Sequence, residues 1–451
     1  MADRRTRVER ALEALSALQV GDPGAREHVR TICAFATAPV ADDTLWLLHR
    51  LDDLGVDESR IALEIDRLTN ATGGDRRHAF GLLRDALEPR RSAVLRHLTT
   101  APGDLRIVVD LRAALLSSLA QGENADLTPL GDDLRSFLAT RVEVGSLELR
   151  RLTWRDSAAL LERLANLEAV HAVRGWFDLK DRLDDDRRCY AFFHPALPDT
   201  PLVFIEVALT AETPSSIRAI LNRDAAPGNA AIARSATFYS ISNCEPGLSG
   251  IPFGNALIKR ATDALRAELP QLRVFATLSP IPGFAQWVHA LREKIDPSVR
   301  ERLAVPGWHR DAATAGFLLE PLLRLAARYL LEVKRTDGAP LDPVARFHLG
   351  NGATVERLDW LADPTPRGLA NSFGVMVNYR YAVERLANNQ LAYARAFAVD
   401  AAPVVRALAA AETTPIGETR PQARRRRSIW TAIPDVGSWA LRLLGRPSSN
   451  V

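Results

Sequence analysis

A serine and a histidine held rigidly in a water-poor pocket can orient a substrate and pass a proton, and two segments carry such residues in unusual settings. Ser279 sits in LSPIPGF, between Leu278 and Pro280 with Pro282 just beyond, and His348 sits in FHLGNG. Each proline locks its own φ, so the serine segment is stiff; a reacting group displaced by about an ångström loses much of its advantage. Histidine suits proton delivery because its ordinary pKa lies near neutral pH. Both residues also have plainer readings. Ser279 can be a strand-end hydroxyl opening a proline turn, and His348 a half-buried strand histidine. His171 and His194 offer imidazoles of the same composition, and residue type does not choose among the three. Tyr239, Asn351, Asn378 and Tyr379 are further candidates for shaping a pocket. Glu206 interrupts the apolar run PLVFIEVALT, either as a buried functional carboxylate or as a paired structural one.

A second feature is the loop NCEPGLSGIPFG, between the strand-like ATFYSIS and the amphipathic NALIKRATDALRAEL. A strand that enters a glycine-rich loop and then a helix aims several backbone N–H groups and the positive end of a helix dipole at one point, which suits a pyrophosphate. Gly247, Ser249, Gly250 and Gly254 supply permissive backbone, Asn255 or its predecessors start the helix, and Lys259 and Arg260 follow one turn later. The spacing matches neither GxxxxGK[ST] nor GxGxxG. It resembles, loosely, the CoA-binding loop of GCN5-related N-acetyltransferases, and a plain strand-to-helix connection accounts for the glycines equally well.

These residues need elements to position them. From Val8 to about Leu138, apolar residues recur at three- and four-residue spacing in segments such as DDTLWLLHRLDDLG and LRAALLSSLA, the pattern of a helical bundle. His28, His49, His78 and His97 are scattered through it without ligand-like spacing. Near residue 141 the pattern changes to RVEVGSLELRRLTW, with Thr153 and Asp156 as a capping box for SAALLERLANLEAV. CYAFFHPAL and PLVFIEVALT read as a hairpin across PDTP, ATFYSIS as a third strand and VFATLS as a strand after the loop and its helix. PGFAQWVHALREKI and LLEPLLRLAARYLLEV read as helices, FHLGNGATVERLDWLAD as a short strand pair or strand and turn, and NYRYAVERLANNQLAYARAF as a last helix. Trp154, Trp176, Trp287 and Trp360 are expected as core or domain-contact residues. Three regions result: a helical bundle at 1–140 expected to close a homo-oligomer, a mixed α/β domain at 141–410, and a basic tail at 411–451, with Arg424 to Arg427, expected to be flexible.

The 58 basic and 55 acidic side chains are interspersed and leave a net charge of +3, which argues against nucleic acid as a main partner. Cys33, Cys189 and Cys244 show no CxxC spacing and an odd count, against a zinc site or a disulfide framework and in favour of a reducing cytoplasm. No segment approaches the roughly 20 consecutive apolar residues of a membrane span. MADRRTRVERAL has no hydrophobic signal core, and Asp3 and Glu9 make it unlike an acid-poor transit peptide.

LSPIPGF followed by AQWVHAL, LEAVHAVRGWFDLKDRL, FHPALPDTPLVFIEVALT, FYSISNCEPGLSGIPFGNALIKR and ARFHLGNGATVERLDWLADPTPRGLANSFGVMVNYRY together resemble the malonyl-CoA decarboxylase family, in family order from about residue 140 to 381. The resemblance implies an α+β fold: an N-terminal all-helical bundle followed by a GCN5-related N-acetyltransferase-like mixed α/β domain. It also implies decarboxylation of malonyl-CoA to acetyl-CoA and CO2 with no metal and no cofactor, because the thioester itself takes up the electrons. The family's loop on the CoA phosphates falls on Ser249, Gly250, Ile251, Pro252, Phe253, Gly254 and Asn255, and its catalytic serine and histidine fall on Ser279 and His348. Pro252 departs from the pattern, since other members carry a polar or acidic side chain there. Two other classes remain at this level: a CoA-dependent acyltransferase of the same fold, which leaves LSPIPGF and FHLGNG without a purpose, and an inactive interaction scaffold.

Overall fold

A computed structural model describes residues 105–411 except 123–124, 199, 223–227, 252 and 292–293, together with isolated residues between 62 and 99. Most of the expected bundle with its four histidines, Cys33, Pro252, the side chain of Asn255 and nearly all of the basic tail lie outside the described residues.

Two helices open the described chain, α1 (Leu105–Ala120) and α2 (Thr128–Arg141). Their buried positions follow helical periodicity: Val108, Leu111, Arg112 and Leu115 on α1, and Leu130, Leu134 and Leu138 on α2. Then come β1 (Glu148–Leu152), α3 (Ala158–Leu167), α4 (Trp176–Asp181), β2 (Arg187–Phe193), β3 (Val203–Thr210) and β4 (Ser235–Asn243). The strand-to-helix loop leads into α5 (Phe253–Glu268), β5 (Val274–Thr277), β6 (Ser279–Pro280) and α6 (Phe284–Leu291). After α7 (Ala312–Leu331) come α8 (Pro343–Gly350), β7 (Thr354–Asp359), α9 (Pro366–Ser372), β8 (Met376–Arg380), α10 (Val383–Ala396) and α11 (Pro403–Ala410).

The strands form one mixed sheet in the order β1-β2-β3-β4-β5-β8, with β6 and β7 both joined to β8. Only β4 and β5 run parallel, as the crossover through α5 requires. Alternation sends Tyr190 and Phe192 of β2 into the large core with Leu257, Ile258, Ala261 and Leu265 of α5. Cys189, Ala191 and Phe193 go to the opposite face with Leu161 and Leu164 of α3. Cover on both faces is why β2 and β3 are nearly continuously buried.

The expected α+β class, the β2–β3 pairing and the strand, loop, helix, strand order stand in the structure. Several local readings change. FHLG is not strand but the end of α8, whose start is marked by Asp342 accepting from Ala345 N–H at 2.8 Å and by Pro343, and whose end is marked by Asn351 and Gly352. A helix this short holds too few turns for its apolar period to declare itself, whereas its cap and proline were legible. NYR belongs to β8, so the helix expected there begins at Val383. The N-cap of α3 is Ser157, which accepts from Leu160 N–H; Asp156 instead accepts from Thr153 N–H in the turn before it. Trp154 and Trp176 are not core residues. They pack edge to face with each other at 6.0 Å and stay largely exposed.

Candidate active site

Pairing between β4 and β5 ends at Phe238 opposite Thr277, with a last bond from Leu278 N–H to Phe238 O at 3.0 Å. Strand β4 runs on to Asn243 without a β5 partner, while the chain after Leu278 turns to β8, placing Ser279 opposite Val377. The sheet therefore opens beside Ser279.

His348 closes one side of that opening from α8. Its Nε2 lies 3.1 Å from Ser279 Oγ, and its Nδ1 lies 2.7 Å from the Tyr381 hydroxyl. Ser279 donates to Thr277 Oγ1 at 2.8 Å, an oxygen that also accepts Tyr379 N–H at 3.1 Å. The Tyr379 ring stacks on the imidazole at 4.5 Å, and Asn378 Nδ2 donates to Thr277 O at 2.7 Å. With the Ser279 proton committed to Thr277, the network assigns the proton-bearing nitrogen of His348: Nε2–H donates to Ser279 Oγ, and Nδ1 accepts from Tyr381. Asn351 reaches toward the Tyr381 hydroxyl without closing a well-formed bond, so its buried amide keeps donor and acceptor capacity at the end of the chain.

Burial changes the electrostatics expected for the pair. The imidazole of His348 is 3 % exposed, and desolvation of its charged form lowers its pKa to about 3. The expectation of a histidine titrating near neutral pH is corrected: without substrate, His348 is a neutral imidazole. Asp342, which caps α8, is wholly buried and pushed up to about 6 by the same desolvation.

The glycine loop sits close by. A side chain on Gly254 would drive its Cβ into the Phe347 ring, so the first turn of α5 lies against the residue preceding His348. The loop offers fewer donors than its sequence suggests. The N–H groups of Ser249, Ile251 and Phe253 are used inside it, on Pro246 O, Leu248 O and Ile251 O. Gly250 takes a left-handed φ of 80°, and among the described residues its N–H donates to no backbone carbonyl.

Of the other candidates, Asn351 and Tyr379 lie beside the Ser279–His348 pair, while Asn378 reaches only the Thr277 carbonyl, on the same face of β8 as Met376, and does not face the pair. Nor does Tyr239: it lies across the sheet, packed with Ala208, Ile217, Leu278 and Met376. His171 is on that far side too, with its ring 6.5 Å from that of Tyr239; burial first, then Arg182 and Arg367, hold its pKa down at about 3. His194 Nδ1 accepts Ala196 N–H in the β2–β3 connection. Glu206 is the paired structural carboxylate, 3.2 Å from Arg182, which also binds Asp178. Among the described residues no three His, Cys, Asp or Glu side chains converge as metal ligands.

Two family models match the chain, that of the malonyl-CoA decarboxylase N-terminal domain over residues 54–140 and that of the C-terminal domain over residues 145–419. The mitochondrial malonyl-CoA decarboxylase of Anser anser anser is 36 % identical over 376 residues, 76 % of this chain and 74 % of that one. The chain belongs to the malonyl-CoA decarboxylase family. The crystal structure of malonyl-CoA decarboxylase from Rhodopseudomonas palustris matches it at a TM-score of 0.82 and 39 % identity, covering 88 % of this chain and 98 % of that one. For the enzyme from Agrobacterium vitis the values are 0.83, 38 %, 90 % and 99 %.

Within this malonyl-CoA decarboxylase fold, Thr277 and Tyr381 are the participants that residue-by-residue reading passed over. Their signal was the strand period. Thr277 lies two residues from Ser279, and Tyr381 two residues from Tyr379, so each shares a face with a residue already singled out.

Proposed function

We propose that this chain converts malonyl-CoA to acetyl-CoA and CO2 at the Ser279–His348 pair, with no metal or organic cofactor. The observation that carries the reading is the 3.1 Å contact between Ser279 Oγ and His348 Nε2, made between residues far apart in sequence and beside the loop at Gly254. With the carboxylate perpendicular to the thioester plane, the pair of electrons in the breaking C–C bond enters the carbonyl. CO2 leaves and an enolate forms. As substrate enters, the Ser279 hydroxyl turns from Thr277 Oγ1 and His348 Nε2–H turns from Ser279 Oγ, and both then donate to that oxygen, each bond worth a few kcal/mol in a water-poor site.

A neutral imidazole becomes an acid here through the substrate. The malonyl carboxylate and the developing enolate bring negative charge against a buried ring, which raises its proton affinity, so His348 takes up a proton as substrate binds and delivers it to the α-carbon. Tyr381 accommodates both states. Its hydroxyl donates to Nδ1 of the neutral ring, and in the protonated state turns to accept from Nδ1–H while donating to Asn351.

Purified protein given malonyl-CoA alone should produce acetyl-CoA and CO2 in equal amounts, with His348→Ala and Ser279→Ala nearly inactive while folded. Turnover that depends strictly on an added amine would replace this reading with acyl transfer. The homo-oligomer is a further part of the proposal, tested by light scattering. So is the cytoplasmic location, which the buried, free thiols of Cys189 and Cys244 support while the relative from Anser anser anser is mitochondrial; cell fractionation decides it. Among the described residues no helix is long and apolar enough to cross a membrane.

A further inference from the structure

The glycine loop rests on the helices that precede the sheet domain. A Cβ at Gly247 would run into Val109 O, so the loop backbone lies directly on the α1 backbone, an approach that only glycine permits. Beside that contact Arg112 of α1, 3 % exposed, reaches up from the helix. Its Nη1 donates to both Gly247 O and Ser249 O at 2.7 Å, and its Nε donates to Gly131 O of α2 at 3.3 Å. Arg106, earlier on α1, ties the start of the same loop through Glu245 at 2.7 Å.

Two consequences follow from elementary geometry. A trans peptide directs its C=O and the next N–H in opposite senses. Clamping Ser249 O downward onto the guanidinium therefore turns Gly250 N–H away from α1, toward the side where an anion would lie. Glu245 is already paired with Arg106, and among the described residues no carboxylate forms an ion pair with Arg112. Burial and the nearby Arg135 lower the Arg112 pKa to about 10, which leaves it cationic at neutral pH. Asp132, itself 3.5 Å from Arg135, offsets that charge only in part. A buried positive charge is thus held under the loop.

We infer that Arg112 is a positioning residue for the diphosphate end of the CoA substrate: from the helical region, it holds the Ser249–Gly250 peptide in its anion-binding orientation and adds a buried positive charge beneath it. The inference rests on reading residues 249–255 as the CoA-phosphate loop, and it assigns to α1 a part in substrate selection. No direct contact between Arg112 and substrate is involved.

The test compares malonyl-CoA with malonyl-pantetheine, which keeps the reacting thioester and lacks the diphosphate and nucleotide. In Arg112→Met, KM for malonyl-CoA should rise about tenfold or more with kcat within about threefold, since a Gly250 N–H no longer held in place forfeits its charge-assisted hydrogen bond to the phosphate, a loss of about tenfold or more in affinity. Turnover of malonyl-pantetheine should stay within about twofold of the parent. Arg112→Lys, which keeps the charge and cannot reproduce the planar fork, should fall between; it also serves if the methionine variant does not fold. An equal loss on both substrates would make Arg112 a general structural residue and overturn the inference, as would an unchanged KM. Gly250→Val supplies the control for the loop. If it abolishes the preference for malonyl-CoA while the Arg112 variants keep it, the loop reading stands and the role of Arg112 fails. If the parent itself does not prefer malonyl-CoA to malonyl-pantetheine, the loop reading fails and the inference with it.

Discussion

Tyr381→Phe isolates the support behind His348 with the loss of one oxygen. The hydroxyl sits 2.7 Å from Nδ1, and the tyrosine and histidine are 4 % and 3 % exposed, so bulk water has no ready path to replace it. Removing it leaves a buried ring nitrogen without a partner, at a cost of about 1–3 kcal/mol. It also releases the constraint on which nitrogen carries the proton. The ring can then place its proton on Nδ1 and present a lone pair to Ser279, the wrong arrangement for stabilising an enolate. If the cost falls on the transition state, kcat drops by about tenfold to a hundredfold, at about 1.36 kcal/mol for each factor of ten. KM should stay within about twofold, because the hydroxyl's hydrogen-bond partner is His348 Nδ1 and not a residue of the 249–255 loop. The phenyl ring retains the edge-to-face contact with Phe238, at 6.3 Å between centroids in the parent, so the fold survives. Steady-state CO2 release at saturating malonyl-CoA, with urea unfolding in parallel, measures both sides. A kcat within twofold of the parent would refute the reasoning, as would a KM effect with kcat intact. Combining Tyr381→Phe with Ser279→Ala should cost far less than the sum of the single losses, since the groups act as one chain.

Thr277→Val removes the oxygen that accepts from both Ser279 Oγ and Tyr379 N–H, so kcat should fall about tenfold and stability by about 1–2 kcal/mol; unchanged kcat would show that Ser279 needs no anchoring. Gly254→Ala drives a methyl into the Phe347 ring and should raise KM for malonyl-CoA about tenfold, by displacing the α5 N-terminus; binding of CoA followed by calorimetry checks this. For pH dependence, His171 is held down at about 3 in the folded protein against an unfolded value near 6.5. The unfolded chain thus binds the proton first, and the stability that His171 contributes is present above pH 6.5 and lost as pH falls toward 3. Glu206, raised to about 8 by burial and by Glu168, acts in the opposite sense between pH 4.5 and 8, so the His171 effect must be read from a variant. His171→Asn should lose less stability than the parent between about pH 7 and pH 5 in urea unfolding; a pH-independent difference between the two proteins contradicts the assignment.

Much of the sheet could be read from the chain because its signals are local. Strands β2 and β3 announce themselves through dense β-branched and aromatic residues, and α5 through its amphipathic period. Ser279 and His348 were legible only through resemblance, since His171 and His194 are chemically equivalent candidates until position separates them. Tyr239 shows the same limit from the other side: its type suits a pocket, yet strand alternation turns it to the opposite face of the sheet.

By itself, then, the sequence determined the α+β class, the strand, glycine loop, helix, strand order and the family to which the chain belongs. The tertiary structure decided what each side chain faces. It set His348 on a buried helix end with a neutral imidazole, joined Thr277 and Tyr381 to the pair, and placed Arg112 beneath a loop far from it in sequence. The physical reason is that propensity and periodicity act over a few neighbouring residues, whereas hydrogen-bond partners, desolvation and close backbone approach arise between segments that only the folded chain brings together.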